Sequence, residues 1–93
     1  MSAAPPVHQT HPELVKRLSR ASGHLVKVIA MIEDGRSCLD LAQQLHAVER
    51  AIAAAKSSLI HDHIDHCLAH AVESPARTAS AAISEFKEIT KYL

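Results

Sequence analysis

A chain of 93 residues leaves no room for a second domain and sits near the size at which one hydrophobic core is only marginally stabilising, so self-association is expected. Apolar residues make up 47% of it, yet Phe86 and Tyr92 are its only aromatics and Trp is absent, a mixture of Ala and aliphatics that suits helix packing and argues against a sheet sandwich. Ten basic and ten acidic residues cancel, which excludes a global field for nucleic acid or membrane; any such partner has to be met by a local patch.

Cys38 and Cys67 are too few and too far apart for a disulfide framework. The opening MSAAPPVHQTH has no apolar core of the kind a signal peptide needs, and no apolar run approaches a membrane span. A cytoplasmic location with reduced thiols is the expectation.

Residues 1–9, with Pro5 and Pro6 and no periodicity, read as a flexible arm, and 10–93 as a single three-helix domain. Thr10 and Glu13 have capping-box spacing, and Pro12 falls in the first turn, where its missing N–H is harmless. Leu14, Leu18, Ala21, Leu25, Val28 and Ile32 follow at alternating spacings of four and three, an amphipathic helix with a coiled-coil-like seam. Asp34-Gly35 ends it, and Ser37 with Asp40 repeats the capping signature for a second helix. Leu41, Leu45, Val48, Ile52, Ala55 and Leu59 keep the rhythm, and no Gly or Pro interrupts Arg36 to Glu73, so this helix should reach about residue 70. Ser74-Pro75 is a further start signal, and Ala79, Ala82, Ile83, Phe86, Ile89 or Thr90, and Leu93 outline a shorter third helix. The predicted class is all-α, three helices per chain with a long central one.

Histidine is concentrated near the end of that long helix, in LIHDHIDHCLAH at 59–70. His63 and Cys67 are four apart, so they project from one helix face and can chelate one ion. His66 with His70, Asp62 with His66 and His61 with Asp65 are further two-point pairs, but two ligands seldom make a selective site. Cys38 is the third candidate, yet twenty-nine residues of helix, about 43 Å of rise, separate it from Cys67. Either the helix breaks or the site lies between subunits. An antiparallel pair of the long helices would set Cys38 of one chain beside His63 and Cys67 of the other, and the two-fold axis would generate a second site.

Two thiolates and an imidazole favour a soft ion. Three-coordinate Cu(I) is the natural occupant, with Zn(II), or Ni(II) and Co(II) with added nitrogen donors, as alternatives. His8, His11 and His61 are the candidates for those extra nitrogens. Taken singly, His24, His46 and His70 read as surface residues on polar helix faces, and Cys38 as a small buried residue; the His63–Cys67 spacing is what points to a metal.

Arg17, Arg20, His24 and Lys27, with Lys16 alongside, form a basic stripe on the first helix, opposite the seam of Leu14, Leu18, Leu25 and Val28 and offset in that stretch only by Glu13. A solvated face explains such a stripe by default. Multiplied by oligomerisation it becomes a positive surface able to contact several phosphates. No helix-turn-helix signal and no base-stacking aromatics accompany it.

With KRLSRASGH at 16–24, Cys38 opening the second helix, QQLHAVERAIAAAK at 43–56 and HDHIDHC at 61–67, the chain resembles the copper-sensitive operon repressor family. This is a family of all-helical bacterial transcriptional repressors without a helix-turn-helix that also includes nickel/cobalt and formaldehyde sensors. The resemblance runs from about Glu13 to Leu93 and is strongest in the Cys38–His63 spacing of twenty-five residues and the His63–Cys67 spacing of four. It implies a dimer of dimers with Cys38, His63 and Cys67 as an intersubunit metal site, and Arg17 and Arg20 as operator contacts. Nickel and cobalt sensors of the family carry His at the position of Cys67 and add an N-terminal His; that added position is Pro6 here, with His8 and His11 close by. The family's usual Gly-Gln is Gly23-His24. Copper sensors often place a Tyr beside the first Cys and a Glu in the third helix behind the metal ligands; here those positions hold Ser37 and, by ungapped alignment, Ile83, with Glu85 nearby. The HDHIDHC run is similar to a branch associated with nickel resistance.

The expected function is a metal-responsive repressor that holds operator DNA through Lys16, Arg17 and Arg20 when metal-free and releases it on binding Cu(I), or Ni(II)/Co(II), so derepressing metal efflux or resistance genes. Metal storage or trafficking without DNA, and thiol sensing at Cys38, are the other classes the residues admit. An enzyme is not expected, because no nucleophile, base and orienting group come together in the sequence.

Overall fold

The computed structural model describes the backbone of residues 11–73 and 76–93, with all side chains there except those of residues 67, 68, 70–73, 76–79 and 82. It is built from α1 (His11–Glu33), α2 (Cys38–Glu73), α3 (Ala76–Ile89) and a closing 3-10 turn, Thr90–Tyr92. The all-α class and the long central helix are as expected, and no strand occurs among the described residues. The arm at 1–9, the Thr10 cap and the Ser74-Pro75 start signal lie outside the described residues. Among those described, no helix is long and apolar enough to cross a membrane. The chain divides into two compact units, Pro12–Lys56 and a second containing His11 and Ser57–Leu93, with α2 contributing to both.

In the first unit α1 and the start of α2 form a helical hairpin whose turn is written in the local sequence. Gly35 adopts φ +74°, a left-handed conformation that a Cβ would disfavour. Its N–H donates to the Ile32 carbonyl at 3.1 Å and the Arg36 N–H to the Met31 carbonyl at 3.1 Å. These are the paired bonds of a Schellman motif, which satisfy carbonyls that the end of α1 leaves without helical partners. Two residues later Ser37 Oγ accepts from the Asp40 N–H at 3.2 Å and caps α2.

The core of this unit is a strip of small and medium aliphatics, Leu14, Ala21 and Val28 from α1 with Val48 and Ala55 from α2. Val28 is fully enclosed, worth about 1.5–3 kcal/mol relative to exposure. The sequence seam is therefore buried on one side only. Leu18, Leu25 and Ile32, each four residues beyond a buried position, remain exposed, as do Leu45, Ile52 and Leu59 on α2. A pair of helices closes over one ridge of each partner, and the second ridge of both seams points elsewhere.

In the second unit Ile60 is buried, and Phe86 and Ile89 are half-buried. The third helix ends earlier than its periodicity predicts, at Ile89 instead of Leu93. Thr90 Oγ1 donates to the Lys87 carbonyl at 2.9 Å and the chain tightens into the 3-10 turn. Beside it Lys91 Nζ pairs with Glu88 Oε1 at 3.1 Å.

Candidate functional site

The His63 side chain is 18% exposed, and its Nε2 lies 2.8 Å from Glu85 Oε1. An ionised carboxylate only accepts hydrogen bonds, so Nε2 carries the hydrogen and the lone pair of the neutral ring resides on Nδ1. A carboxylate behind one ring nitrogen is the arrangement that orients metal-binding histidines through the other. The ungapped alignment put Ile83 in this role, but Ile83 is 51% exposed and Glu85 reaches His63 instead. Two positions on a helix differ by about 200° of rotation, so the residue that meets α2 depends on how α3 starts, which residue counting does not capture.

The remaining sequence candidates are distributed along the chain. Cys38 is the first residue of α2 and carries a free, exposed thiol, not the buried one its composition class suggested. The Cys67 side chain, His8 and the His70 side chain lie outside the described residues. His11 is exposed at the start of α1 and belongs to the same compact unit as His63. His61 is exposed, and two helical positions from His63 it faces about 160° away, so the two imidazoles occupy different faces. His46 is exposed as expected, with Nδ1 3.7 Å from Glu49 Oε1. Among the described residues no three of His, Cys, Asp and Glu gather into a cluster that holds an ion within one chain.

The basic stripe does not lie on the far side of α1 from α2 but along the junction between them. Arg17, Arg20, Ala21 and His24 line a recess of about 340 Å³ with Ala51 and Ala54 of α2. Arg20 and His24, with Gly23, Lys27 and Met31, also line a second recess of about 490 Å³ against Gln44. The two meet at Arg20 and His24, and the alanines of α2 keep the groove open. His24 is accordingly not a solvated surface residue: it is half-buried, with Nε2 2.6 Å from Gln44 Oε1. Lys16, Arg17, Arg20 and Lys27 are exposed. Sequence reasoning missed Gln44, because a polar residue on a helix gives no sign of which neighbour from another helix will reach it.

The family described as metal-sensitive transcriptional repressor matches residues 10–92. The chain is 31% identical over 85 residues to the copper-sensing transcriptional repressor RicR of Mycobacterium tuberculosis, covering 91% of this chain and 88% of that protein. It is 32% identical over 81 residues to the copper-sensing transcriptional repressor CsoR of Bacillus subtilis, covering 85% and 80%. Among solved structures it is similar to the nickel-responsive transcriptional regulator InrS, with a TM-score of 0.79, 26% identity, and 99% of this chain and 100% of that one covered. The family consists of transcriptional repressors, not enzymes, and with nearly its whole length matched this chain belongs to the metal-sensitive transcriptional repressor family.

Proposed function

We propose that this chain represses transcription by holding operator DNA in its metal-free form and releases it when Cu(I) binds to Cys38, His63 and Cys67. The observation that carries the reading is the His63–Glu85 contact, which fixes a largely enclosed imidazole one helical turn before Cys67. Bound there, Cu(I) would supply a link between two thiolates and an imidazole, a donor set matched to a soft monovalent ion.

The site belongs to a pair of chains, because the rise of one helix cannot bring its own Cys38 to its own His63. The exposed halves of both seams, Leu18, Leu25 and Ile32 with Leu45, Ile52 and Leu59, supply apolar surface for an antiparallel dimer and for a dimer of dimers. Glu85 holds His63 from α3, so a displacement of His63 is transmitted to a second helix. Lys16, Arg17 and Arg20 face the DNA, and the protein works in the cytoplasm.

Mixed chains test the intersubunit ligand set. Cys38→Ser and Cys67→Ser should each abolish binding alone, but a dimer assembled from one of each should retain one intact site of two. Cu(I) titration of the mixture should recover metal binding with nitrogen and sulfur ligands. No recovery after confirmed subunit exchange would place all ligands within one chain and contradict the site.

Nickel is the second reading, with His8 or His11 adding a nitrogen. It is favoured by the likeness to the nickel-responsive InrS over 99% of this chain, and by the grouping of His11 with the unit that contains His63. Metal storage without DNA fits less well, since the basic groove has no part in it.

A further inference from the structure

The groove beside α1 contains two features that a merely basic stripe does not need. Gly23 lies in the interior of a 23-residue helix, where glycine lowers stability relative to alanine, yet a Cβ built on it would meet nothing within 4 Å. Among the described residues, then, no close contact requires the glycine. It lines the recess shared by Arg20, His24, Lys27 and Gln44. The cations there are also uncommitted: among the described residues, no carboxylate stands within ion-pair distance of Arg17, Arg20 or Lys27.

His24 sets the chemistry of the floor. Gln44 Oε1 accepts from its Nε2–H at 2.6 Å, so the neutral ring offers only an acceptor at Nδ1 and repels an anion's oxygen. Protonation at Nδ1 turns the same ring into a charged donor. The groups lining the two recesses with it are Arg17, Arg20 and Lys27 from α1 and the uncharged Gln44, Ala51 and Ala54 from α2. Among the described residues, no acid lines either recess to compete with an incoming phosphate.

We propose that this groove seats one phosphate of the operator backbone against Gly23, and that His24, positioned by Gln44, binds it only as the imidazolium, so that DNA binding takes up a proton. The inference rests on the repressor reading and adds a proton-linked contact to it. The absent Cβ admits the phosphate close to the helix backbone, and Arg20 and Lys27 flank it.

The test is operator binding by the metal-free protein, using the DNA immediately upstream of its own gene, across the range of about pH 5–8 in which imidazoles change charge. Wild-type affinity should fall as pH rises, by up to about tenfold per pH unit for each linked proton. His24→Gln retains a donor at every pH and should lose that part of the slope. Gly23→Ala should raise the thermal midpoint while lowering DNA affinity by about tenfold, the size of one charge-assisted contact. Equal pH slopes for wild type and H24Q overturn the proton-linked contact, and a G23A protein with undiminished affinity overturns the seat. If wild type binds no operator fragment at any pH, the repressor reading itself fails and takes the seat with it.

Discussion

His63 Nε2 and Glu85 Oε1 stand 2.8 Å apart, so a histidine on α2 is oriented by a carboxylate on α3. Glu85 is more than half exposed, and its direct Coulomb contribution to stability is therefore small. Its value lies in fixing the ring. Glu85→Ala should weaken metal binding about 10–100-fold, the range seen when carboxylates behind metal-binding histidines are removed. Ile83→Ala should leave affinity unchanged. Competition with a chromophoric chelator measures both.

The turn between α1 and α2 has a predictable sensitivity. Gly35 at φ +74° accommodates a Cβ poorly, so Gly35→Ala should cost about 1–2 kcal/mol in denaturant unfolding at fixed protein concentration.

Ser37→Ala removes the cap on α2 and should cost about 1 kcal/mol. Because Cys38 is the next residue, metal affinity should fall with the same substitution while a cap elsewhere would not touch it. A loss of stability with no change in affinity would detach Cys38 from the metal site.

The exposed half of the α2 seam is expected to be covered by a second copy. Ile52→Asp should reduce the molecular mass seen by light scattering, since it places a charge in the middle of Leu45, Ile52 and Leu59. A wild-type chain that is already monomeric at working concentration contradicts the assembly.

Arg17→Ala and Arg20→Ala should each weaken operator binding and reduce the slope of log affinity against log salt by about 0.9 for each phosphate that is no longer neutralised. Metal affinity of the DNA-free protein should stay the same. By linkage, any metal that weakens DNA binding must itself bind more weakly to the DNA complex, by the same factor.

The α1–α2 junction was legible in the sequence because it has a local chemical cause, Gly35 for the left-handed turn and Ser37 for the cap, and the length of α2 was legible because helix-forming sequence runs unbroken from Arg36 to Glu73. The seams were legible as periodicity, but not which half of each is buried within one chain. Leu14 and Leu18 look alike in sequence, and only the crossing of two helices encloses one and exposes the other. Glu85 and Gln44 were hidden for a related reason. Each contacts a residue on another helix, and a helix's rotation is set by packing and by its starting turn, not by residue spacing. The one-turn spacing of His63 and Cys67 was readable because both residues fall within α2.

The central claim is that metal releases this protein from DNA. Its most direct test is anaerobic binding of the fully reduced, metal-free protein to the DNA upstream of its own gene, repeated with Cu(I) and with Ni(II) at buffered free concentrations. Tight binding by the metal-free protein, with release by Cu(I) at the lower free concentration, is the expected result. Release by Ni(II) at the lower concentration would transfer the site to the nickel reading. Binding that neither metal alters would contradict metal-triggered release and point to chemistry at the exposed Cys38 thiol.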